Sequence, residues 1–227
     1  MALRILHPCD YGFQTSNIRI LGSSVSGGRS LSGIEDMIQT DGGGYRAVDL
    51  SGGTARTREQ NMAIRALVDE VGTTQAMIVL LCAEKHFQPV NSRPSLSMAD
   101  WNKPLADDAP DKGAAFTVVA DAALRATSLT IAGNSERPII GGELFSINNP
   151  TWGWRVHRIT SMQPSGSNFI ITFSTPLREA ITAETPLEFD TPRCQMRFAQ
   201  APDLPTDQGR RTPLTLTLIE DMRKPPA

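Results

Sequence analysis

Two tryptophans two residues apart, Trp152 and Trp154, are the residues here best placed to do chemistry on a ligand. In an extended segment, side chains at i and i+2 point to one face, and two indoles on one face can stack on a sugar ring. That gives one candidate site, a glycan contact formed by Trp152 and Trp154. No companion cluster of Asn, Asp and aromatic residues accompanies it. The other reactive types are scattered. His7, His86 and His157 are not read as chelating a metal, and His157 fits a half-exposed strand position between Val156 and Arg158. Cys9, Cys82 and Cys194 lie far apart, without a CxxC pattern, and are expected to be three separate reduced thiols. Asp107 and Asp108 sit in a proline-rich polar stretch, where solvated charges are the expected role.

Catalytic signatures are missing from the sequence. There is no GxSxG elbow, no GxGxxG fingerprint, no phosphate loop and no HExxH. The nearest glycine-rich stretches are 42–44 and 51–54. The second precedes a helix pattern but lacks the lysine of a phosphate loop, so it reads as a plain turn leading to an N-cap. No catalytic residue, metal ligand or cofactor is expected, and the chain is read as a non-enzyme.

The elements that would carry these residues are mostly strands. The chain has 227 residues, 40% of them hydrophobic and 20% charged, with a formal net charge of -2. That is enough to bury a core in one large or two small domains. The near-balanced charge carries no footprint for nucleic acid or an anionic membrane. No signal peptide is read at the start, and the longest apolar run, 76–83, is too short to span a bilayer.

One helix is expected over 57–71. Thr57 and Gln60 make a capping-box pattern, and Ile64, Leu67, Val68 and Val71 fall on one stripe. Gly72 suits the stop. A lone amphipathic helix must lie on a sheet. Strands are expected at 17–21 and 45–50, with Arg46, Val48 and Leu50 on one face, and the stretch 76–82 reads as a strand buried on both faces. Residues 23–30, dense in Gly and Ser, read as a loop. Short strand patterns separated by turns recur near 116, 128, 143, 154, 168, 186 and 194, which suggests a small barrel or sandwich. Leu214, Leu216 and Leu218 alternate in a last strand.

The expected fold is therefore mainly β with one amphipathic helix. A β-sandwich domain spans 1–90 and is completed by 213–227. A proline-rich excursion follows at 91–114, an inserted β-barrel or sandwich domain at 115–200, and a linker at 201–212.

Several stretches together resemble the distal tail proteins of long-tailed bacteriophages and gene transfer agents. The stretch 32–47, SGIEDMIQTDGGGYRA, is similar to that family's opening "SPLTGxxQ…GGxRW". The helix from Arg56 to Gly72 and the apolar run after it resemble the family's helix and strand. The strings ATSLTIAG at 126–133, GELFSI at 142–147, WRVHRI at 154–159, TPLR at 175–178 and PRCQMRF at 192–198 resemble "GDxFxI…YRV…PPLR…P…FRL" in order. The resemblance implies a structural virion protein of the tail tip or baseplate. The first domain would form a ring, commonly a homohexamer, and the inserted domain would decorate it. The implied partners are other copies of the chain, the tail tube protein and the trimeric tip hub protein, with the tape-measure protein as a further candidate. DNA would pass through the ring during ejection without being held. The virion tail tip is the implied location, after assembly in the host cytoplasm, with no membrane partner.

Overall fold

The computed structural model describes residues 3–22, 24–29, 32, 35–39, 42–81, 115–134, 138–205 and 211–224. The proline-rich excursion at 91–114 lies outside the described residues, as does the middle of the 201–212 linker. The fold is mainly β and has, among the described residues, one α-helix and two large sheets, one of them nearly closed into a barrel.

The first sheet contains β1 (Arg4–Leu6), β2 (Thr15–Leu21), β5 (Tyr45–Ala55), β6 (Met77–Leu80), β13 (Arg193–Phe198) and β14 (Thr212–Glu220). Their order is β1-β6-β13-β14-β5-β2. Only β1 and β6 pair in parallel; the remaining neighbours are antiparallel. The helix α1 (Arg58–Val71) starts at Thr57, whose hydroxyl accepts from Gln60 N at 3.2 Å while Gln60 Oε1 accepts from Thr57 N at 3.2 Å. This is the reciprocal capping box, satisfying two amides that the first turn leaves orphaned. Ile64, Leu67 and Val71 bury their stripe in one core with Val48, Leu50, Met77, Val79, Met196 and Leu216. The strand β6 is buried at Met77, Val79 and Leu80 and half-buried at Ile78, as its unbroken apolar run predicts.

Two expectations for this region are corrected. The stretch 51–54 is not a turn: β5 runs through it. Gly52, at φ +72°, sits where the pairing with β14 shifts register, so the glycines belong to a β-bulge. A Cβ at Gly53 would lie 2.4 Å from the Phe13 ring, which explains the second glycine. The stretch 24–29 is not a loop either. It forms β3 (Ser24–Arg29), paired antiparallel with β4 (Glu35–Gln39) as a separate two-stranded sheet. Backbone pairing supplies the order that its Gly/Ser composition does not predict.

The second sheet is antiparallel throughout. It contains β7 (Ala115–Val118), β8 (Ser128–Asn134), β9 (Leu144–Asn149), β10 (Gly153–Ser165), β11 (Asn168–Ser174) and β12 (Pro186–Leu187), in the order β12-β7-β8-β11-β10-β9. Ser146 and Glu188 exchange two backbone hydrogen bonds of 2.9 Å, which brings β9 back beside the end of β12 and nearly closes the barrel. Phe116, Ile131, Phe145, Ile147, Ile171 and Phe189 fill it.

The expected boundary at 200 moves. Strand β13, assigned by its position to the inserted region, lies between β6 and β14 in the first sheet. The barrel therefore ends before Arg193. Nor is it a free-standing decoration, because Leu144 of β9 and Val156 of β10 are fully part of the first core. One face of those strands fills the barrel while the other packs on the first sheet.

Cys9 is disulfide-bonded, whereas Cys194 is a free, buried thiol. The expectation of three separate thiols fails at Cys9, because spacing along the chain does not report the spatial proximity that a disulfide needs. Cys82 lies outside the described residues.

Candidate assembly site at the root of the β3–β4 hairpin

The β3–β4 ribbon lies between β2 and β5 in the chain. The β2–β5 pairing ends at Leu21 opposite Tyr45, and the β3–β4 pairing begins at Ser24 opposite Gln39. At about 3.3 Å per residue, the six residues of β3 span roughly 20 Å. Its strands pack chiefly on each other. A two-stranded ribbon alone is marginally stable in water, so this arm is suited to pairing with something else. The first sheet also ends in two strand edges, β1 and β2, with no further neighbour among the described strands.

At the root of the arm, Gly42, Gly43 and Gly44 all have positive φ, at +70°, +113° and +80°. Side chains rarely tolerate three such residues in succession. The segment 174–178 from the barrel lies against them. Ser174 Oγ accepts from Arg46 Nη2 at 2.9 Å. A Cβ on Gly43 would sit 2.2 Å from Pro176 Cδ. The Arg178 guanidinium spans the turn, donating through Nη1 to Gly42 O at 3.1 Å and through Nη2 to Gly44 O. These partners are 134 residues apart in sequence at Arg178 and Gly44.

The barrel holds 174–178 firmly. Leu177 N donates to Ala126 O, and Arg125 N donates to Leu177 O, both at 2.9 Å. Thr175, at φ +68°, turns its carbonyl to accept from His157 Nδ1 at 3.0 Å. His157 is 2% exposed and lies between Phe145 and Phe173, at ring-centroid distances of 5.4 and 5.0 Å. The half-exposed position expected for it is thus corrected: barrel closure buries both faces of β10 at this point. Burial, against the bond to Thr175, pushes its pKa down to about 3.

This has a pH consequence. The folded chain keeps His157 neutral, whereas the unfolded chain protonates it near pH 6.5. Below that value the unfolded state binds a proton that the folded state refuses. Stability is then lost by about 1.4 kcal/mol per pH unit as pH falls from about 6.5 toward 3, with no contribution above that window. Urea titrations at pH 7.0, 6.0 and 5.0 check it. His157→Gln, which keeps a donor for Thr175 O, should remove this part of the slope, and an unchanged slope would refute the assignment.

Beside the arm root runs a buried polar seam between barrel and first sheet. Arg155 Nη1 donates to Asp221 O at 2.6 Å and reaches Glu220 Oε1 at 3.5 Å. Glu220 Oε2 accepts from Arg46 N at 2.9 Å. The side chains of Arg155 and Glu220 are 1% and 5% exposed.

The two tryptophans end here rather than in solvent. Trp154 is 4% exposed, and the Arg193 guanidinium lies 5.1 Å above its ring. Trp152, half-buried, is covered by Lys224 at 5.6 Å. The i, i+2 rule is interrupted because Gly153, at φ +68°, is a turn residue as much as a strand residue. The pair does not form an open stacking platform. Asp107 and Asp108 lie outside the described residues. Among the described residues no group of three or more His, Cys, Asp or Glu is gathered as for a metal, and no helix is long and apolar enough to cross a membrane. The signal that sequence reasoning left unused was the pairing of its two glycine- and proline-bearing strings, GGG and TPLR, with each other.

The chain matches no family model and no curated protein.

Proposed function

We propose that this chain is a non-enzymatic structural protein that forms a ring at the distal end of a phage tail. In this reading six copies associate around the channel, join the tail tube to a three-fold tip hub and leave DNA free to pass. The supporting observation is the arm root. Two of the strings that carry the resemblance to distal tail proteins, GGG at 42–44 and TPLR at 175–178, are in direct contact although far apart in sequence. The contact stands next in the chain to a ribbon whose two strands pack chiefly on each other. A separate two-stranded ribbon and two sheet-end edges suit head-to-tail association, in which each copy presents one surface and receives another until the ring closes. The polar seam holds the barrel to the first sheet, and in this reading the barrel decorates the ring. On this reading the other partners are the tube protein and the hub, with the tape-measure protein as a further candidate, and the site of action is the virion.

The test is co-expression with a phage tail tube protein, followed by negative-stain imaging and native mass spectrometry. The expected product is a six-fold ring, alone or capping tubes, with a mass six times the 24.6 kDa of one chain. A chain that stays monomeric and never associates with tube or hub would sink the reading.

A further inference from the structure

We infer that Arg178 is a positioning residue that sets the direction of the β3–β4 arm relative to the barrel, so that the barrel and the arm turn together. The inference rests on the ring reading for its purpose but not for its geometry.

The arm is attached to the first sheet through two routes. One is the backbone of β2 running into β3, and the other is the link from β4 into β5, whose described part is the turn at 42–44. Three consecutive positive-φ glycines make the second route the most permissive joint in the described chain, since glycine opposes rotation least. Pairing of β2 with β5 holds the strands together but does not by itself hold the ribbon at one angle to the barrel. The fork of Arg178 does. It ties the carbonyls on both sides of Gly43, two points on the joint, and two bonds from one rigid plane remove rotation as well as separation. Pro176 blocks Gly43 from the other direction. The Arg178 end is fixed in turn, because Leu177 is bonded into the barrel through Ala126 and Arg125, and Thr175 through His157. An unbroken set of contacts therefore runs from the barrel interior to the joint.

A lysine would keep the charge but present a single point donor, so it should not hold the angle. This separates positioning from simple charge pairing.

The test uses the full chain with spin labels on non-natural residues at Ser26, on the arm, and Ser165, on the barrel, both exposed. Distances are read by pulsed electron resonance. The native chain should give one narrow distribution. Arg178→Ala should widen it at least twofold, and Arg178→Lys should widen it comparably. Gly43→Ala, which drives a Cβ into Pro176, should shift its mean. Near-ultraviolet circular dichroism on the same samples reports whether the barrel is intact, and Arg158→Ala, a barrel arginine that donates to Gly142 O instead, serves as the control. Distributions for Arg178→Ala and Arg178→Lys that superimpose on the native one, with the barrel intact, would overturn the inference. Widening in a chain that never forms rings would support the inference while the ring reading fails on its own test.

Discussion

Phe145→Ala will destabilise the chain by roughly 3–5 kcal/mol, the cost of removing a large aromatic from a core that cannot collapse around the gap. Phe145 is fully buried and meets three rings: His157 at 5.4 Å, Phe173 at 5.4 Å edge-on and Phe189 at 5.7 Å. It therefore carries the packing between β9, β10, β11 and the segment after β12, which are the elements that bring the barrel round on itself. The loss should not stay in the barrel. Leu144 and Val156, its neighbours on β9 and β10, are in the first core, so opening these strands uncovers the first sheet as well. Urea unfolding followed by both tryptophan fluorescence and far-ultraviolet circular dichroism should show one transition shifted to lower urea. A loss below about 1 kcal/mol would mean that the barrel interior repacks freely and that these ring contacts are not what holds it shut.

Glu220→Ala should cost about 3 kcal/mol for a different reason. The substitution leaves Arg155 buried without its carboxylate and Arg46 N without its acceptor, and an uncompensated buried charge is the expensive outcome. The double variant Arg155→Met with Glu220→Leu should recover much of that loss, because a buried pair costs much to desolvate and gains less by Coulomb attraction. Chemical denaturation of the native chain and the two variants measures both effects. If the double variant is no more stable than Glu220→Ala, the seam is held by the backbone bonds around Asp221 and not by the ion pair. The comparison also asks why the seam is polar. We read it as giving the barrel one docking geometry: Arg155 has two fixed partners, and an apolar contact would accept several.

The helix shows what local sequence reading can reach. Thr57 and Gln60 are three residues apart, so their capping bonds depend on nothing distant, and the stripe of Ile64, Leu67 and Val71 follows from the helix period. The strands were legible for the same reason where alternation was clean, as at Leu214, Leu216 and Leu218. Where composition opposed it, as in the Gly/Ser-rich β3, only pairing with β4 made a strand. The placement of β13 was not legible either. Its sequence reads equally well as a strand of either sheet, and although β14 is the next strand in the chain, its other neighbour, β6, comes from far earlier.

The candidate site divides in the same way. Sequence pointed to Trp152 and Trp154 by a two-residue period, and the turn at Gly153 together with the burial of Trp154 under Arg193 overrode it. By itself, then, the sequence determined that this protein is mainly β, that a helix spans the residues after Thr57, and that it contains the strings GGG and TPLR. Tertiary structure alone decided that His157 is buried, that the barrel shares strands with the first core, and that Arg178 grips Gly42 and Gly44 at the base of the arm. Periodicity and capping are written within a few neighbouring residues. Burial, sheet order and a fork across two carbonyls depend on which distant segments the fold brings together.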